Sequence, residues 1–178
     1  MGKSLIFPSL LLGVIRKNMN PTEMVQHFMK GKDVTNFRYL LFPLNSGEGP
    51  MSRIPHWTLL VYDRINCSWE HFNSSLPRRL DGKEDPFLVD AKEMKSFMQI
   101  ANGKMKFGIK SNAKLVSVLT SPQQKPDSVD CGMFVLYIAR QFCRQQPLDI
   151  KDAQNGICAL RSDFVHQFLN DEHTVKLD

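Results

Sequence analysis

Apolar and polar positions alternate with two different periods along this chain, and the changes of period divide it into strands and helices. Phe37 to Leu44 is almost continuously apolar, with Pro43 near its end, which predicts a strand that stops there. Trp57 to Tyr62 is apolar at nearly every position, as a strand covered on both faces should be. Cys67 to Phe72 alternates and reads as the returning strand of a hairpin, with Asp63-Arg64-Ile65-Asn66 as its turn. Leu115 to Leu119 is a further short buried strand.

Between these runs the period changes to that of a helix. Asn20 as N-cap, Pro21 at the first position and Glu23 at the third start a helix that should reach about Lys30 and stop at Gly31. Pro86 to Ala101 carries Phe87, Leu88, Ala91, Met94, Phe97, Met98 and Ala101 at helical spacing and closes at Asn102-Gly103. Cys131 to about Arg144 is a strongly apolar helix, and Ala153 to Leu169 an amphipathic one. Polar stretches over 45–55, 76–85 and 121–130 read as loops. There are no internal repeats. Interspersed helices and short strands give an α+β fold class.

Composition narrows the setting. The 178 residues suit one domain, and 42% hydrophobic with 23% charged residues is ordinary for a globular chain that buries its own core. The four cysteines, Cys67, Cys131, Cys143 and Cys158, show no CxxC pairing, which argues against zinc and against a disulfide framework. Free thiols fit a reducing compartment, so cytoplasm or nucleus is expected. The net charge of +5 is scattered, without the basic stripe and interleaved aromatics of a nucleic-acid binder. The apolar stretch from Leu5 to Ile15 is too short to span a bilayer, contains Pro8 and lacks a small-x-small cleavage site, so no membrane role is expected.

The candidate chemistry centres on Asp130-Cys131-Gly132, at the junction of a polar loop and an apolar helix. A thiol at a helix N-terminus feels unpaired backbone N–H groups, which lowers its pKa. Gly132 leaves room for the backbone to bind an oxyanion there. A thiolate nucleophile needs a base, usually His. His27 and His166 lie on amphipathic helices, His173 is in the tail, and His71 is on the returning strand. His56 opens the most buried strand after a flexible loop, a position that delivers its ring to a sheet edge. A two-residue turn at Arg64-Ile65 places His56 opposite Asn73. Opposed side chains lie about 5 Å apart on one face. Asn73 can then accept an imidazole proton and fix the ring's tautomer, as the third member of a Cys-His-Asn set.

Taken in order, these residues resemble the ubiquitin-like protease family, also called the sentrin-specific proteases. The likeness rests on Phe42-Pro43-Leu44-Asn45, His56-Trp57 opening a strand, His71-Phe72-Asn73-Ser74, Gln123-Gln124, and Ser128-Val129-Asp130-Cys131-Gly132-Met133-Phe134-Val135. Leu5-Ile6-Phe7-Pro8-Ser9 and the helix after it look most like the plant-type branch that cleaves the Nedd/Rub modifier; relatives cleave SUMO. The resemblance implies a papain-like fold with a small, mostly antiparallel central sheet packed by helices. It implies Cys131 as nucleophile, His56 as base, Gln124 at the oxyanion, and Trp57, with Asp130 and Gly132, along the path of the modifier's Gly-Gly tail. It implies no metal or cofactor, a ubiquitin-like modifier as partner, and a monomer.

Three departures stand out. Asn73 occupies the position of the family's usual Asp. Gln124 lies one residue further from Cys131 than is usual, which leaves Gln123 as an alternative. An upstream helical segment of the family does not precede Met1, as in a truncated gene model or a decayed paralogue. The expectation is a single catalytic domain over 1–178, with a modifier-binding pseudo-protease as the alternative.

Overall fold

Strands that are apolar at consecutive positions need cover on both faces, and this chain supplies it with helices above and below one sheet. The computed structural model describes residues 3–17, 20–47, 55–75, 85, 87–125, 128–148 and 153–170. Its elements run β1 (Lys3–Ile6), α1 (Leu11–Arg16), α2 (Pro21–Met29), a 3₁₀ turn at Val34–Asn36, β2 (Phe37–Asn45), β3 (Trp57–Asp63), β4 (Ser68–Phe72), α3 (Leu88–Met105), β5 (Lys114–Ser117), α4 (Cys131–Arg144) and α5 (Ala153–Asn170). The five strands lie in the order β1-β2-β3-β4-β5. The longer central pairings, β2 with β3 and β3 with β4, are antiparallel, and β1 and β5 add parallel edges. The α+β expectation holds.

Alternate residues of the central strands divide between two cores. Leu40, Phe42, Leu44, Leu60 and Tyr62 face a layer built from α1, α2 and α3, including Leu11, Val25, Met94 and Met98. Leu41, Leu59 and Val61 face α4 and α5 through Phe134, Ile138, Ile157 and Leu160. This two-sided burial explains why neither strand alternates in sequence. The amphipathic helices follow the expected spans closely. The Asn20 cap forms as predicted: its side chain accepts from the Glu23 backbone N–H at 3.3 Å and donates to the Glu23 carboxylate at 2.6 Å.

The hairpin differs from expectation in its turn. Asp63 pairs with Ser68, so Arg64 to Cys67 form a four-residue loop and β4 begins one residue later than the alternation predicts. Cys67 adopts a left-handed φ of 51° inside that loop. Asp63 Oδ1 accepts from the backbone N–H groups of Ile65 and Asn66, and Arg64 donates to the carbonyls of Phe37, Phe107 and Val34. These bonds satisfy the loop's polar groups locally, which makes the longer turn stable. Two further boundaries move: α3 runs on to Met105, and β5 ends at Ser117. The predicted start of α3 at Pro86, and most of the 45–55 and 76–85 loops, lie outside the described residues. The apolar stretch after Leu5 forms the edge strand β1 and the short helix α1, which shelter Phe7, Leu11 and Leu12.

Candidate active site

His56 immediately precedes β3, and Ser46, the residue after β2, holds its backbone. The Ser46 hydroxyl accepts from the His56 N–H at 3.0 Å and donates to the His56 carbonyl at 3.1 Å, while the Ser46 N–H donates to the same carbonyl at 3.0 Å. Sequence reasoning did not find Ser46; its only signal was a small hydroxyl after the predicted strand. The imidazole is buried and lies against Phe87, with ring centroids 4.3 Å apart. Its Nε2 is 2.8 Å from Asn73 Oδ1.

The contact between His56 and Asn73 forms, although not for the reason the two-residue turn gave. With a four-residue loop the ladder is shifted by two positions, and its last pair is Leu59 with Phe72. A shift of two preserves the face on which each side chain lies, whereas a shift of one would have reversed it. Asn73 sits just past β4 and reaches diagonally to the ring.

Cys131 is the first residue of α4, and its side chain is buried. Burial alone would raise the thiol pKa, but a hydrogen bond with His56, the backbone N–H groups of Trp57 and Gly132, and the imidazolium charge together hold it below the ordinary value. The partner moves the other way: burial lowers the His56 pKa, and Cys131, Asn73 and then the charge of Asp85 raise it to a net value above the ordinary one. The two shifts belong to one coupled thiol–imidazole pair, and both favour transfer of the proton from Cys131 to His56. Since Nε2 faces Asn73, Nδ1 is the nitrogen left for the thiol.

The other predicted residues distribute unevenly. Trp57 and Gly132 line a groove of about 600 Å³ that also takes in Ile6, Val129, Met133 and Leu136. A Cβ on Gly132 would lie 3.7 Å from Trp57 Cδ1, an ordinary contact, so the glycine marks close approach without being sterically required. The Asp130 carboxylate is engaged by the Arg161 guanidinium of α5 and does not face the groove unpaired. Gln123 donates through its amide to the carbonyls of Asn73 and Ser121, at 3.0 and 2.9 Å. Gln124 donates one N–H to the Ser128 carbonyl at 2.9 Å, and its Oε1 accepts from the Ser74 hydroxyl at 3.3 Å. Among the described residues, Gln123 commits both amide hydrogens to carbonyls and Gln124 one. Among the described residues no cluster of ligands suits a metal ion, and no helix is long and apolar enough to cross a membrane.

A thiol at a helix N-terminus, paired with an imidazole that an amide orients, is an arrangement suited to thiol-protease chemistry. The chain belongs to the Ulp1 protease family, whose C-terminal catalytic domain matches residues 16–176. It is similar to the NEDD8-specific protease 1 of Arabidopsis thaliana, 29% identical over 146 residues, covering 79% of this chain and 55% of that protein. It is similar to sentrin-specific protease 8 of Homo sapiens, 26% identical over 136 residues, covering 74% of this chain and 57% of that protein. The chain thus spans little more than half the length of these curated relatives. Two solved structures share its fold. One is the SUMO protease Ulp1 with its catalytic cysteine oxidised to a sulfinic acid, with a TM-score of 0.68 and 18% identity over 95% of this chain and 69% of that one. The other is the C-terminal Ulp1 protease domain in complex with Smt3, the yeast ortholog of SUMO, with a TM-score of 0.61 and 18% identity over 87% of this chain and 64% of that one.

Proposed function

We propose that this chain is a cysteine peptidase that cleaves after the C-terminal Gly-Gly of a ubiquitin-like modifier, with a Nedd/Rub-type modifier favoured and SUMO second. The observation that carries the reading is the imidazole of His56, bound on one nitrogen by Asn73 and turned on the other toward Cys131. The Cys131 thiolate attacks the carbonyl carbon of the terminal Gly and forms a tetrahedral oxyanion. His56 gives its proton to the leaving amine as the intermediate collapses to a thioester. His56 then takes a proton from water, which hydrolyses the thioester and returns the thiol.

Gln124, which commits one of its two amide hydrogens among the described residues, is the better candidate than Gln123 for the oxyanion. The groove beside Trp57 and Gly132 supports the path of an extended, side-chain-free tail. The name of the Arabidopsis relative supports the Nedd/Rub preference, and the Ulp1 complex with Smt3 supports SUMO as the second choice. The four free thiols support a reducing compartment, cytoplasm or nucleus. Asn73, in the place of an acid, favours one alternative: a chain that binds the modifier without cutting it.

Incubation with Nedd/Rub and SUMO forms carrying a C-terminal electrophile separates the two readings. A covalent adduct that disappears in Cys131→Ala is the expected result, and its preference between the two probes names the modifier. Tight binding with no adduct would establish the binding-only reading, and neither binding nor adduct would remove both.

A further inference from the structure

Asn73 has a definite orientation, and three neighbours set it. Its Oδ1 accepts from the Ser75 backbone N–H at 2.9 Å and faces His56 Nε2 at 2.8 Å. Its Nδ2 donates to Asp85 Oδ2 at 3.1 Å. A flipped amide would set N–H against the Ser75 N–H, and oxygen against the carboxylate. With Oδ1 toward the ring, His56 must carry its proton on Nε2 and present Nδ1 to the thiol. Asp85 is itself fixed: its side chain is 9% exposed, and its Oδ1 accepts from the Phe87 N–H at 2.9 Å. Phe87 in turn packs against His56 with the two rings tilted by 42°.

We propose that Asp85 is a positioning residue for the His56–Cys131 pair, fixing the Asn73 amide and supplying, one residue further out, the negative charge that an acid at position 73 would supply. The inference rests on the reading of Cys131 and His56 as nucleophile and base. The charged and titratable groups that face Asp85 are His71 on β4, with Nδ1 at 3.9 Å, His56 itself, and Asp90 on α3. Burial holds His71 neutral, so it does not cancel the Asp85 charge.

The geometry makes a reciprocal demand on the two positions. Asp85→Asn leaves one oxygen for two donors, the Phe87 N–H and Asn73 Nδ2, so a donor faces a donor. Asn73→Asp sets two carboxylates together, which share a proton. The exchange Asn73→Asp with Asp85→Asn satisfies every group: the new carboxylate accepts from His56, Ser75 and the new amide, whose oxygen accepts from Phe87.

The test is the rate of iodoacetamide alkylation of Cys131 against pH, read by mass spectrometry because Cys67, Cys143 and Cys158 are also free. Thermal melts are recorded for every variant. The wild type should react well below the pH of an ordinary thiol. Asp85→Asn and Asp85→Ala should move that limb up by about one pH unit, or about tenfold in rate along it. Adding Asn73→Asp to Asp85→Asn should move it back, while Asn73→Asp alone brings no such gain. Equal effects of Asn73→Asp in both backgrounds, or an Asp85→Asn profile matching wild type, overturns the role of Asp85 and leaves the thiol–imidazole pair standing. Loss of folding in Asp85→Asn that the exchange does not repair also overturns it. A wild-type limb at the ordinary thiol pH removes the pair and, with it, the proposal.

Discussion

His71 offers a sharp test of the electrostatics behind the site. Its side chain on β4 is fully buried, and neither ring nitrogen has a hydrogen-bond partner among the described residues. Burial disfavours the charged ring, Asp85 at 3.9 Å favours it, and His56 opposes it; burial wins and brings the pKa from 6.5 down to about 4. A base whose folded pKa is depressed is neutral in the native state while the unfolded chain takes up the proton. Stability is therefore complete above the unfolded value of 6.5 and falls as pH drops toward about 4. Integrating over that window gives a loss from this one group of about 2 kcal/mol near pH ~5 and about 3 kcal/mol near pH ~4. Against a domain stability of roughly 5–15 kcal/mol, that is a large fraction. Urea unfolding of the wild type and His71→Leu, followed from about pH 7 down to about pH 4, isolates it, because other titrations are common to both chains. His56 and Cys131 are among those common groups. The leucine fits a similar volume, and any packing offset is independent of pH. The wild-type midpoint should fall by about 1–3 M urea more than that of the variant over the window. Parallel curves would refute the buried, neutral His71.

Arg16 on α1 holds Asp90 and Glu93 on α3, at 2.6 and 2.9 Å, with Asp90 nearly buried. Arg16→Ala should cost about 3 kcal/mol in chemical unfolding, because it leaves Asp90 uncompensated, and joint replacement of Arg16 by Met and Asp90 by Leu should recover most of that. Gly156 on α5 packs against the Tyr137 ring of α4 so closely that a Cβ would overlap ring carbons. Gly156→Ala gains about 1 kcal/mol of helix propensity and loses about 1–3 kcal/mol to overpacking, so a net fall in melting temperature is expected.

Local chemistry was legible in the chain, and pairing across it was less so. The Asn20 cap, the two-sided burial of β3 and the apolar run of α4 are written in consecutive residues, and each formed where predicted. The turn was misjudged because Asp63-Arg64-Ile65-Asn66 reads as a tight turn on composition. What lengthens it is Arg64, which spans to the carbonyls of Val34, Phe37 and Phe107, residues distant in sequence. The His56–Asn73 contact survived that error through parity: the register moved by two, so the two residues kept the same side. Ser46 and Asp85 were not legible, because each acts through contacts with residues distant in sequence and neither belongs to a periodic pattern. Asp130 looked open in sequence, since nothing local shows that Arg161 reaches it from α5.

Under the proposed function, the choice between cutting a modifier and only holding it turns on how much activation an amide in place of an acid at position 73 removes. The thiolate is stabilised first by groups at hydrogen-bond distance: His56 and the backbone N–H groups of Trp57 and Gly132. The third residue acts on the imidazolium, and its charge acts through space. The Coulomb energy falls with distance, so a carboxylate in direct contact with the ring favours the imidazolium more than one that reaches it across an intervening amide. The Asp85 charge, held one residue further out through the Asn73 amide, acts in the same direction as an acid at position 73 but is the weakest of the influences that raise the His56 pKa. The 2.8 Å contact between His56 and Asn73 keeps the orientation in full. Replacing the acid trims one contribution to activation and leaves the others intact, which weighs for cleavage over binding alone.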